Sequence, residues 1–403
     1  MTTPATTFAA TASCVVELDH PVPDLELPAS RGGGRYAHAL VLVRLHEEPL
    51  GVVRVDLVDG RRPALEVAEA ILGELGRELA DHVRENRCAP VPDRASGLLE
   101  ASPVRTSPCP GARRGADAAM PSVAAIVPTA GRPDDIGRCL ARLAALDYPR
   151  LEIIVVDNRP ADGATRRVVE DAAARDRRVR YVAEPRPGSS VARNRGAAET
   201  QAEIVAFTDD DVAVDALWLR WMVEPFVDDE QVQAVTGLVL AASYDTVEQQ
   251  VFEEYAGFGK GFARRPYDMG ANRPAGQLLY PYWGAPFGSG NSMAFRRRAL
   301  VGIGGFDPAL GAGSPALAGA DIESFTQIVL GGGRLVYEPR AVVWHDHRRD
   351  PDALARQLFN YSVGSTAILT KWMLRDPRAV IAVGRAVRTV AGSVRAGSGR
   401  KAP

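Results

Sequence analysis

From Ser122 onward, short apolar segments alternate with segments of helical pattern. The apolar segments are SVAAIVPT (122–129), LEIIVVD (151–157), VRYVAEP (179–185) and EIVAFTDDD (203–211). Uniformly apolar strands that alternate with helices are typical of a parallel sheet covered on both faces. The sequence therefore predicts an α/β fold with a mostly parallel sheet flanked by helices. In such sheets ligands bind beyond the carboxyl ends of the strands.

Three consecutive carboxylates, Asp209, Asp210 and Asp211, end the fourth of these strands. Carboxylates this close repel one another unless a cation or an array of donors meets them. Alternate residues of an extended chain point the same way, so Asp209 and Asp211 can face one ligand. A carboxylate pair of this kind suits Mg²⁺ or Mn²⁺. The alternative is a solvated acidic turn after a strand.

A candidate anion site precedes the acidic run, in the segment EPRPGSSVARNRG (184–196). Gly188, Ser189 and Ser190 are expected to begin a helix, where free N–H groups and the helix dipole favour an anion. The same segment contains three arginines whose side chains can pair with phosphate. They are Arg186, Arg193 and Arg195. The alternative is a solvated helix face. The acidic run and this helix start together indicate a bound diphosphate.

The ordered set of motifs resembles the family 2 inverting glycosyltransferases, which have a Rossmann-like GT-A fold. The motifs are VAAIVPTAGRPDDIGRCLARL, LEIIVVDN, EPRPGSSVARNRG, AFTDDDV, GSGNSMAFRR, GGFDPALG and GADIE. Together they cover about residues 122–350, more than half of the chain. The resemblance implies a transferase that moves a sugar from a nucleotide-diphosphate sugar to a hydroxyl group, with Mg²⁺ or Mn²⁺ as cofactor.

The resemblance also implies a role for individual residues at the strand ends. Pro128 and Thr129 would line the nucleotide site, and Asp157 would bind the base, which favours a UDP-sugar as donor. Asp209 would lie near the ribose, and Asp211 would bind the metal ion that bridges the diphosphate. The middle member of the acidic run, Asp210, is ambiguous and is grouped with the nucleotide-binding residues.

The segment GADIESF (319–325) matches the place of the family's catalytic base. Inversion requires a carboxylate that removes the proton of the acceptor hydroxyl, and Asp321 occupies that position. The family usually has Glu-Asp here, whereas this chain has Ala320 before Asp321, which puts the usual auxiliary contact to the acceptor in doubt. Glu323 is two residues further and cannot share the same helix face. The alternative role of Asp321 is to cap the following helix.

Acceptor-side candidates come from the segment PYWGAPFGSGNSMAFRR (281–297). Asn291 is a candidate hydrogen-bonding residue, and Trp283 offers a stacking surface for a sugar or an apolar acceptor, with core packing as the alternative. Two histidines, His345 and His347, end a later apolar strand and alternate along it. Related glycosyltransferases use a histidine near this point, so both are candidate metal or diphosphate ligands, with a purely structural role as the alternative.

The remaining segments are expected to surround this domain. Residues 1–34 are expected to be irregular, 35–87 to form a small ββα domain, and 88–121 to be a linker. The transferase domain would then span 122–350, and 351–403 would be a helical C-terminal extension. The valines and arginines of this extension recur at helical spacing. This basic amphipathic tail is therefore expected either to pack on the transferase domain or to contact an anionic membrane surface.

Composition limits the remaining partners and the location. A net charge of −2 gives no general attraction to nucleic acid, so no nucleic-acid partner is expected. Four scattered cysteines include Cys88 and Cys109, which could form a disulfide, although reduced thiols are favoured. Without a signal peptide or membrane span, the chain is expected to be cytoplasmic or peripheral at the inner membrane face. The acceptor is expected to offer a hydroxyl group, and the sequence leaves open whether it is a polysaccharide, a lipid carrier, a natural product or a peptide.

Two other functions are weighed against transfer. A sugar-1-phosphate nucleotidyltransferase has a similar sheet but requires a glycine-rich loop with a basic residue directly after the first strand, where this chain reads VPTAGRPDD. A glycan- or nucleotide-binding module without turnover is the alternative from another class, and Ala320 in place of the family's acid is the feature that supports it.

Overall fold

The computed structural model describes residues 8–88, 90–100 and 120–398, and the side chains of Ala285 and of 390–398 are not described. The strands are β1 Thr11–Glu17, β2 Leu25–Glu26, β3 His38–Leu45, β4 Glu48–Asp56, β5 Arg61–Arg62, β6 Val123–Thr129, β7 Leu151–Asp157, β8 Val179–Ala183, β9 Ile204–Thr208, β10 Val212–Val214, β11 Val232–Ala241, β12 Ser243–Tyr244, β13 Arg265–Tyr267, β14 Ser292–Arg296 and β15 Arg334–His345. The helices are α1 Ala64–Asn86, α2 Ala95–Leu98, α3 Pro133–Ala144, α4 Ala164–Arg175, α5 Ser189–Ala198, α6 Trp218–Asp228, α7 Val247–Ala256, α8 Arg297–Gly302, α9 Ala320–Leu330, α10 Pro351–Arg375 and α11 Pro377–Ser398.

The chain divides into two compact units that are not continuous in sequence. The first unit comprises residues up to 119 with 238–263 and 342–355, and the second comprises the remainder. The structure therefore differs from the predicted continuous domain over 122–350. The difference arises in part because β12 adds to the edge of the small sheet of the first unit, where it pairs with β1.

The first unit contains the predicted ββα arrangement. Strands β3 and β4 form an antiparallel hairpin, and the turn between them places His46 and Glu47 at positive φ. Helix α1 covers the hairpin with an apolar stripe that includes Ala68, Ile71 and Leu75. The period of this stripe matches that of a helix with one buried face.

The expectation that residues 1–34 are irregular is wrong. Strand β1 runs parallel to β3 over its whole length and completes the order β12-β1-β3-β4, while β2 pairs with β5. Ala12 and Val16 of β1 are buried in the core beneath α1. A parallel neighbour is contributed by a distant segment rather than by a short turn, so local sequence pattern does not predict it.

The second unit is built on the large sheet, with the order β10-β15-β11-β14-β9-β6-β7-β8 and β13 paired to β15. Strands β6, β7, β8 and β9 are parallel where they meet, and β14 then adds antiparallel to β9. Residues 123–127 of β6 are wholly buried, which agrees with a strand covered on both faces. The prediction of an α/β fold with a mostly parallel sheet flanked by helices is confirmed.

Helices pack on this sheet through the residues that their sequence periodicity indicates. Helix α3 buries Ile136, Leu140 and Leu143, and α6 buries Trp218 and Trp221. The two tryptophans are therefore core residues. In addition, the indole N–H of Trp218 donates to the Ser292 hydroxyl at 3.0 Å, which ties α6 to the start of β14.

The cysteines and the segments that flank the large sheet differ in part from expectation. The preference for reduced thiols is wrong at Cys88, which is disulfide-bonded, whereas Cys14 and Cys139 are free. Most of the predicted linker over 88–121, Cys109 included, lies outside the described residues, and the described part contains the short helix α2. The C-terminal extension is helical as far as it is described. No helix in the described part of the chain has the length and apolar character needed to cross a membrane.

Two helical glycines make a matched test of this packing. A Cβ at Gly196 in α5 would overlap with Ile126 and lie 3.1 Å from a methyl group of Val156, whereas a Cβ at Gly137 in α3 would make an ordinary contact with Val168 at 3.6 Å. Gly196→Ala should lower the free energy of unfolding by about 1–3 kcal/mol because the core is overpacked. Gly137→Ala should raise it by roughly 0.5–1 kcal/mol because alanine is the better helix former. Urea unfolding followed by circular dichroism measures both, and two shifts of the same sign would contradict the packing described.

Candidate functional site

The ends of β6, β7 and β9 bring polar residues to one edge of the large sheet. Thr129 is in register with Asp157, the last residues of their strands, and the acidic run begins directly after β9. The hydroxyl of Thr129 donates to Asp210 Oδ2 at 2.7 Å, so the ends of β6 and β9 are in direct contact. The structure therefore brings the nucleotide-site candidate Thr129 and the acidic run together.

Arg132 holds two of the three carboxylates. Its Nη1 donates to Asp210 Oδ1 at 2.9 Å and to Asp211 Oδ2 at 3.1 Å. Arg132 lies in the loop between β6 and α3, directly before the first residue of that helix, Pro133. The sequence alone indicated no role for Arg132. Its place after a strand end, on the sheet edge that carries the acids, is the signal that could have identified it.

Arg193 holds the third carboxylate. From α5, its Nη2 donates to Asp209 Oδ1 at 2.9 Å, and its guanidinium group lies over the ring of Phe306. The Nε atom of Arg193 is buried and has no hydrogen-bond partner among the described residues. Arg193 thus lies beside the acidic run with one donor, its buried Nε, unused, and its role in nucleotide binding stays a prediction.

Arg132 and Arg193 do not balance the negative charge of the acidic run and Asp321. Burial raises the pKa of Asp210 to about 6, and the neighbouring Asp211 adds to the increase, although Arg132 and the Thr129 hydroxyl oppose it. Burial also raises the pKa of Asp209 against the opposing charge of Arg193, with the carboxylates of Asp211 and Asp321 adding to the increase. Four carboxylates against two guanidinium groups leave two negative charges when all are ionised, which is the charge that one divalent cation neutralises.

The segment around Asn291 lies beside this cluster because of strand pairing. Strand β14 pairs antiparallel with β9, with Ser292 opposite Thr208, so the residues before Ser292 adjoin the start of the acidic run. Asn291 is almost fully buried, and its Oδ1 has no hydrogen-bond partner in the described part of the chain. An unpartnered buried amide oxygen is unfavourable unless a ligand or water meets it.

Asp321 reaches the same place from α9. It is the second residue of the helix, and Gly290 donates its backbone N–H to Asp321 Oδ2 at 2.8 Å. Gly319 rather than Asp321 occupies the N-cap position, so the alternative in which Asp321 caps the helix is not what the structure has. A Cβ on Gly290 would lie 2.8 Å from Asp321 Oδ2, so the close approach requires glycine.

Ala320 and Glu323 flank Asp321 but face elsewhere. Ala320 is buried, and a Cβ placed on Gly311 would touch it at 3.5 Å. Glu323 is fully buried and forms an ion pair with Lys371 of α10, while Gln327 donates to it at 2.9 Å. Glu323 thus joins α9 to α10 and does not replace the acid that the family has at position 320.

The helix start at α5 is less open to an anion than the sequence indicated. The backbone N–H of Gly188 donates to Asn158 Oδ1 at 2.9 Å, and that of Ser189 donates to the carbonyl of Ala312 at 2.8 Å. The expectation that Ser189 offers a free backbone donor at this point is therefore wrong in this structure. A distant loop, which the sequence pattern does not place here, takes up that donor.

Two of the three arginines in this segment are paired locally. Arg186 donates to both oxygens of Glu184, and Arg195 forms an ion pair with Glu199 one helical turn further on. Arg186 is largely exposed, with a side-chain exposure of 74%. Arg186 therefore pairs with Glu184 in this structure, and its role in phosphate binding stays a prediction.

The remaining candidates are placed as follows. Asp157 is fully buried and accepts hydrogen bonds from the Arg159 backbone at 2.9 Å and from the Tyr181 hydroxyl at 3.0 Å. Pro128 lies one residue before the end of β6 and is half-buried. Trp283 is 40% exposed, so part of its ring is available for stacking.

His345 and His347 belong to the first unit. Their Nδ1 atoms lie 2.8 Å apart, and His347 Nε2 lies 2.8 Å from Glu253 Oε2. Both rings are buried and pack against Phe258. Both histidines thus have hydrogen-bond and packing partners within the first unit, and their role as metal ligands stays a prediction.

The parallel strands and the acidic centre at their carboxyl ends define an α/β protein of the GT-A type. Residues 121–362 match the sequence model of a family described as "Glycosyltransferase like family 2". This match covers more than half of the chain. The chain belongs to the family 2 glycosyltransferases, and the resemblance inferred from the motifs is confirmed.

Two curated relatives are similar over part of their length. The chain is 26% identical over 219 residues to the pre-mycofactocin glycosyltransferase of Mycobacterium tuberculosis, which covers 53% of this chain and 42% of the relative. It is 30% identical over 103 residues to the glycosyltransferase AglE of Haloferax volcanii, which covers 25% of this chain and 34% of the relative. The chain thus matches less than half of the length of these relatives.

Two solved structures are similar at lower identity. The mannosyltransferase PcManGT from Pyrobaculum calidifontis, in complex with GDP-Man and Mn²⁺, is 21% identical with a TM-score of 0.41, covering 67% of this chain and 81% of that chain. S. aureus TarS 1-349 is 18% identical with a TM-score of 0.42, covering 56% of this chain and 60% of that chain.

The raised pKa of Asp210 predicts a pH-dependent effect of its replacement. With a pKa of about 6 in the folded state against 3.8 as the reference, the folded protein holds more protons than the unfolded chain between these values. This carboxyl therefore lowers stability as the pH rises through that window. The stability of Asp210→Asn relative to the wild type should increase by about 2–3 kcal/mol from acid to neutral pH, since asparagine does not titrate.

Thr208→Val provides the control for this prediction. Thr208 is buried next to the acidic run, and its hydroxyl has no hydrogen-bond partner among the described residues. The replacement has the same shape and adds no titrating group, so its effect on stability should be the same at both pH values. Urea midpoints at acid and neutral pH measure both variants, and an Asp210→Asn difference that does not change with pH would contradict the raised pKa.

Proposed function

We propose that the chain is a metal-dependent inverting glycosyltransferase that moves a sugar from a nucleotide-diphosphate sugar to an acceptor hydroxyl, with Asp321 as the general base. The observation that carries the proposal is the convergence of three motifs on one edge of the large sheet. The acidic run follows β9, Asn291 adjoins it through the pairing of β9 with β14, and Gly290 holds Asp321 beside them. Family membership supports the class of reaction.

Asp321 is suited to accept a proton from an acceptor hydroxyl. The Gly290 N–H fixes its Oδ2, and its Oδ1 has no donor within the described part of the chain, so this oxygen can take the acceptor proton. Asp321 lies in the first turn of α9, where the helix dipole favours negative charge. The Asp321 side chain is already held by a backbone contact and by its helix, so it loses little further conformational entropy when the acceptor binds.

The acidic run fits a divalent cation. Carboxylate oxygens are the ligands that Mg²⁺ and Mn²⁺ prefer, and the excess negative charge at Asp209, Asp210 and Asp211 matches such an ion. A cation bound by Asp211 would stabilise negative charge on the departing diphosphate. Arg132 at present pairs with Asp210 and Asp211, so it would share these carboxylates with the cation or move toward the phosphates.

The donor and the acceptor follow from the remaining candidates. Asp157 at the end of β7, with Pro128 and Thr129 beside it, supports nucleotide recognition, and a UDP-sugar remains the proposed donor. Trp283, partly exposed, and Asn291, with its unpartnered oxygen, are the proposed acceptor contacts. The acceptor hydroxyl is proposed to belong to a polysaccharide or a lipid-linked molecule.

The C-terminal helix α11 supports a peripheral membrane contact as part of the same proposal. Val380, Ile381 and Val387 are at least half exposed, and Arg385 and Arg388 lie on the same helix. Exposed apolar residues among arginines are the pattern of a helix that lies on an anionic membrane surface. Such a contact would bring the enzyme to a lipid-linked acceptor.

A binding module without turnover is the alternative that Ala320 favours. The position where the family has an acid is occupied by a buried methyl group, and Glu323 is committed to Lys371. Such a module would retain the nucleotide-sugar intact with every acceptor and cation. Family membership gives no comparable support to the nucleotidyltransferase alternative.

Replacement of Asp321 is the direct test of the transferase proposal. Asp321→Asn should lower kcat by about 10²–10⁴-fold, since general-base catalysis typically contributes that much. Nucleotide binding measured by titration calorimetry should stay unchanged, because the base acts on the acceptor only. Asp171→Asn, an exposed carboxylate on α4, is the control and should behave as the wild type.

Asp211→Asn should behave differently from Asp321→Asn. It should weaken the binding of nucleoside diphosphate in the presence of Mn²⁺ and lower turnover as well, because the same carboxylate would serve both. Mass spectrometry of donor consumption measures turnover. Wild-type turnover in Asp321→Asn would remove Asp321 from the mechanism, and Mn²⁺-dependent binding that Asp211→Asn leaves intact would remove the metal assignment.

A further inference from the structure

Two histidines and one cysteine of the first unit lie close together, and none of them is among the residues assigned to sugar transfer. His46 is in the turn between β3 and β4, His82 is on the last turns of α1, and Cys88 follows the end of that helix. One ligand atom from each of the three lies within 4.8 Å of the others. We call these residues the His–His–Cys cluster.

Distances within the His–His–Cys cluster are near those of a metal centre. His46 Nδ1 lies 3.2 Å from His82 Nε2, and Cys88 Sγ lies 4.0 Å from the same nitrogen. With Zn–N of about 2.0–2.1 Å and Zn–S of about 2.3 Å, tetrahedral ligand atoms are separated by roughly 3.3–3.6 Å. The two nitrogens are close to this separation, whereas the sulfur, 4.0 Å from His82 Nε2 and within 4.8 Å of a His46 nitrogen, must approach both rings.

A carboxylate lies near the outer nitrogen of each histidine, and that of His82 is within hydrogen-bond distance. His82 Nδ1 lies 2.9 Å from Glu48 Oε2, and His46 Nε2 lies 3.8 Å from Asp19 Oδ1. Asp19 also accepts the backbone N–H of His46 at 3.0 Å, which fixes the turn. Metal-binding histidines commonly donate their second N–H to a carboxylate, because this sets the tautomer and makes the inner nitrogen a better ligand. His82 has this contact with Glu48, whereas Asp19 lies beyond hydrogen-bond distance of His46 Nε2.

The backbone holds the three groups in place. His46 has a φ of 54°, a left-handed conformation, and Arg87, which ends α1 immediately before Cys88, has a φ of 53°. The backbone N–H of Cys88 donates to the carbonyl of Val83 at 3.0 Å. His82 is buried, at 6% exposure, and its ring lies 5.5 Å from that of His46. A hairpin turn and a helix end therefore converge at a fixed place.

We propose that the His–His–Cys cluster binds Zn²⁺ or a similar divalent transition metal when Cys88 is reduced. Imidazole nitrogen with thiolate sulfur is a donor set that favours zinc over Mg²⁺ or Mn²⁺, so this site and the acidic run select different ions. The site adds a structural role for metal to the first unit, joining the β3–β4 turn to the end of α1. It does not depend on the proposed transfer reaction.

Reduction is required because Cys88 is held in a disulfide. A trialkylphosphine supplies two electrons: with one water it cleaves the S–S bond, and it leaves two thiols and a phosphine oxide. The metal ion then displaces the proton of the Cys88 thiol, and the S–Zn bond forms as that proton passes to solvent. The disulfide and the metal thus compete for the same sulfur, and the redox state selects between them.

Cobalt substitution in the full-length protein tests the proposal. Protein stripped with a chelator and reduced with tris(2-carboxyethyl)phosphine is titrated with Co²⁺. It should show tetrahedral ligand-field bands and a thiolate-to-cobalt charge-transfer band that saturates at one ion per chain and is displaced by Zn²⁺. The unreduced protein should lack the charge-transfer band. Zn²⁺ should also raise the Tm of the reduced protein, because it binds the folded state.

Variants separate the His–His–Cys cluster from other sites. Cys88→Ser should lose the charge-transfer band, and His46→Gln should lose the tetrahedral spectrum. Glu48→Gln should weaken Zn²⁺ binding by about 10–100-fold, because it removes the carboxylate that contacts the outer nitrogen of His82. Two controls should bind as the wild type. They are Cys139→Ala, which removes a free thiol next to the acidic run, and His38→Gln, a histidine of β3 paired with Asp56.

The charge-transfer band decides the outcome, since it reports a thiolate ligand and the Cys139→Ala control removes the free thiol beside the acidic run. A reduced wild type without the band, or a band that persists in Cys88→Ser, would overturn the proposal. Circular dichroism of each variant confirms that it is folded. Glu48, a partly exposed residue, keeps the test informative if Cys88→Ser or His46→Gln fails to fold, because Zn²⁺ binding unaffected by Glu48→Gln would also contradict the proposal.

Discussion

Mutual repulsion among the carboxylates at the end of β9 is the constraint on which the candidate site depends. Asp209, Asp210 and Asp211 are consecutive, and burial makes their charge more costly, as the raised pKa of Asp210 reflects. The second unit meets this with Arg132 from the loop after β6 and Arg193 from α5, and it adds a fourth carboxylate, Asp321. The fold stabilises part of this charge and leaves the remainder for a ligand.

Local sequence was sufficient for the elements that carry the site but not for their contacts. Apolar runs predicted β6, β7, β8 and β9, and parallel strands then place Thr129, Asp157 and the acidic run on one edge. The bond from Gly290 to Asp321 and the contacts of Arg132 join distant segments, and no periodicity encodes such pairs. For the same reason β1 was missed, since a strand added in parallel has no neighbouring turn to signal it.

The spacing of charged residues predicts some of the local ion pairs but not the His–His–Cys cluster. Arg195 and Glu199 are four residues apart on a helix, a spacing that favours an ion pair, so Arg195 could have been set aside from sequence. Arg186 follows Glu184 by two residues in a loop, for which no such rule exists. The His–His–Cys cluster joins a turn to a helix end and needed the fold of the first unit to be recognised.

We propose that a divalent cation at Asp211 holds the diphosphate of the donor at the end of β9. Anomalous diffraction from crystals soaked with a nucleoside diphosphate and Mn²⁺ tests it most directly. The account predicts one manganese peak within coordination distance of the Asp211 carboxylate, with the diphosphate bound to the same ion. Diphosphate density with no manganese beside the acidic run, or both located elsewhere on the protein, would contradict it.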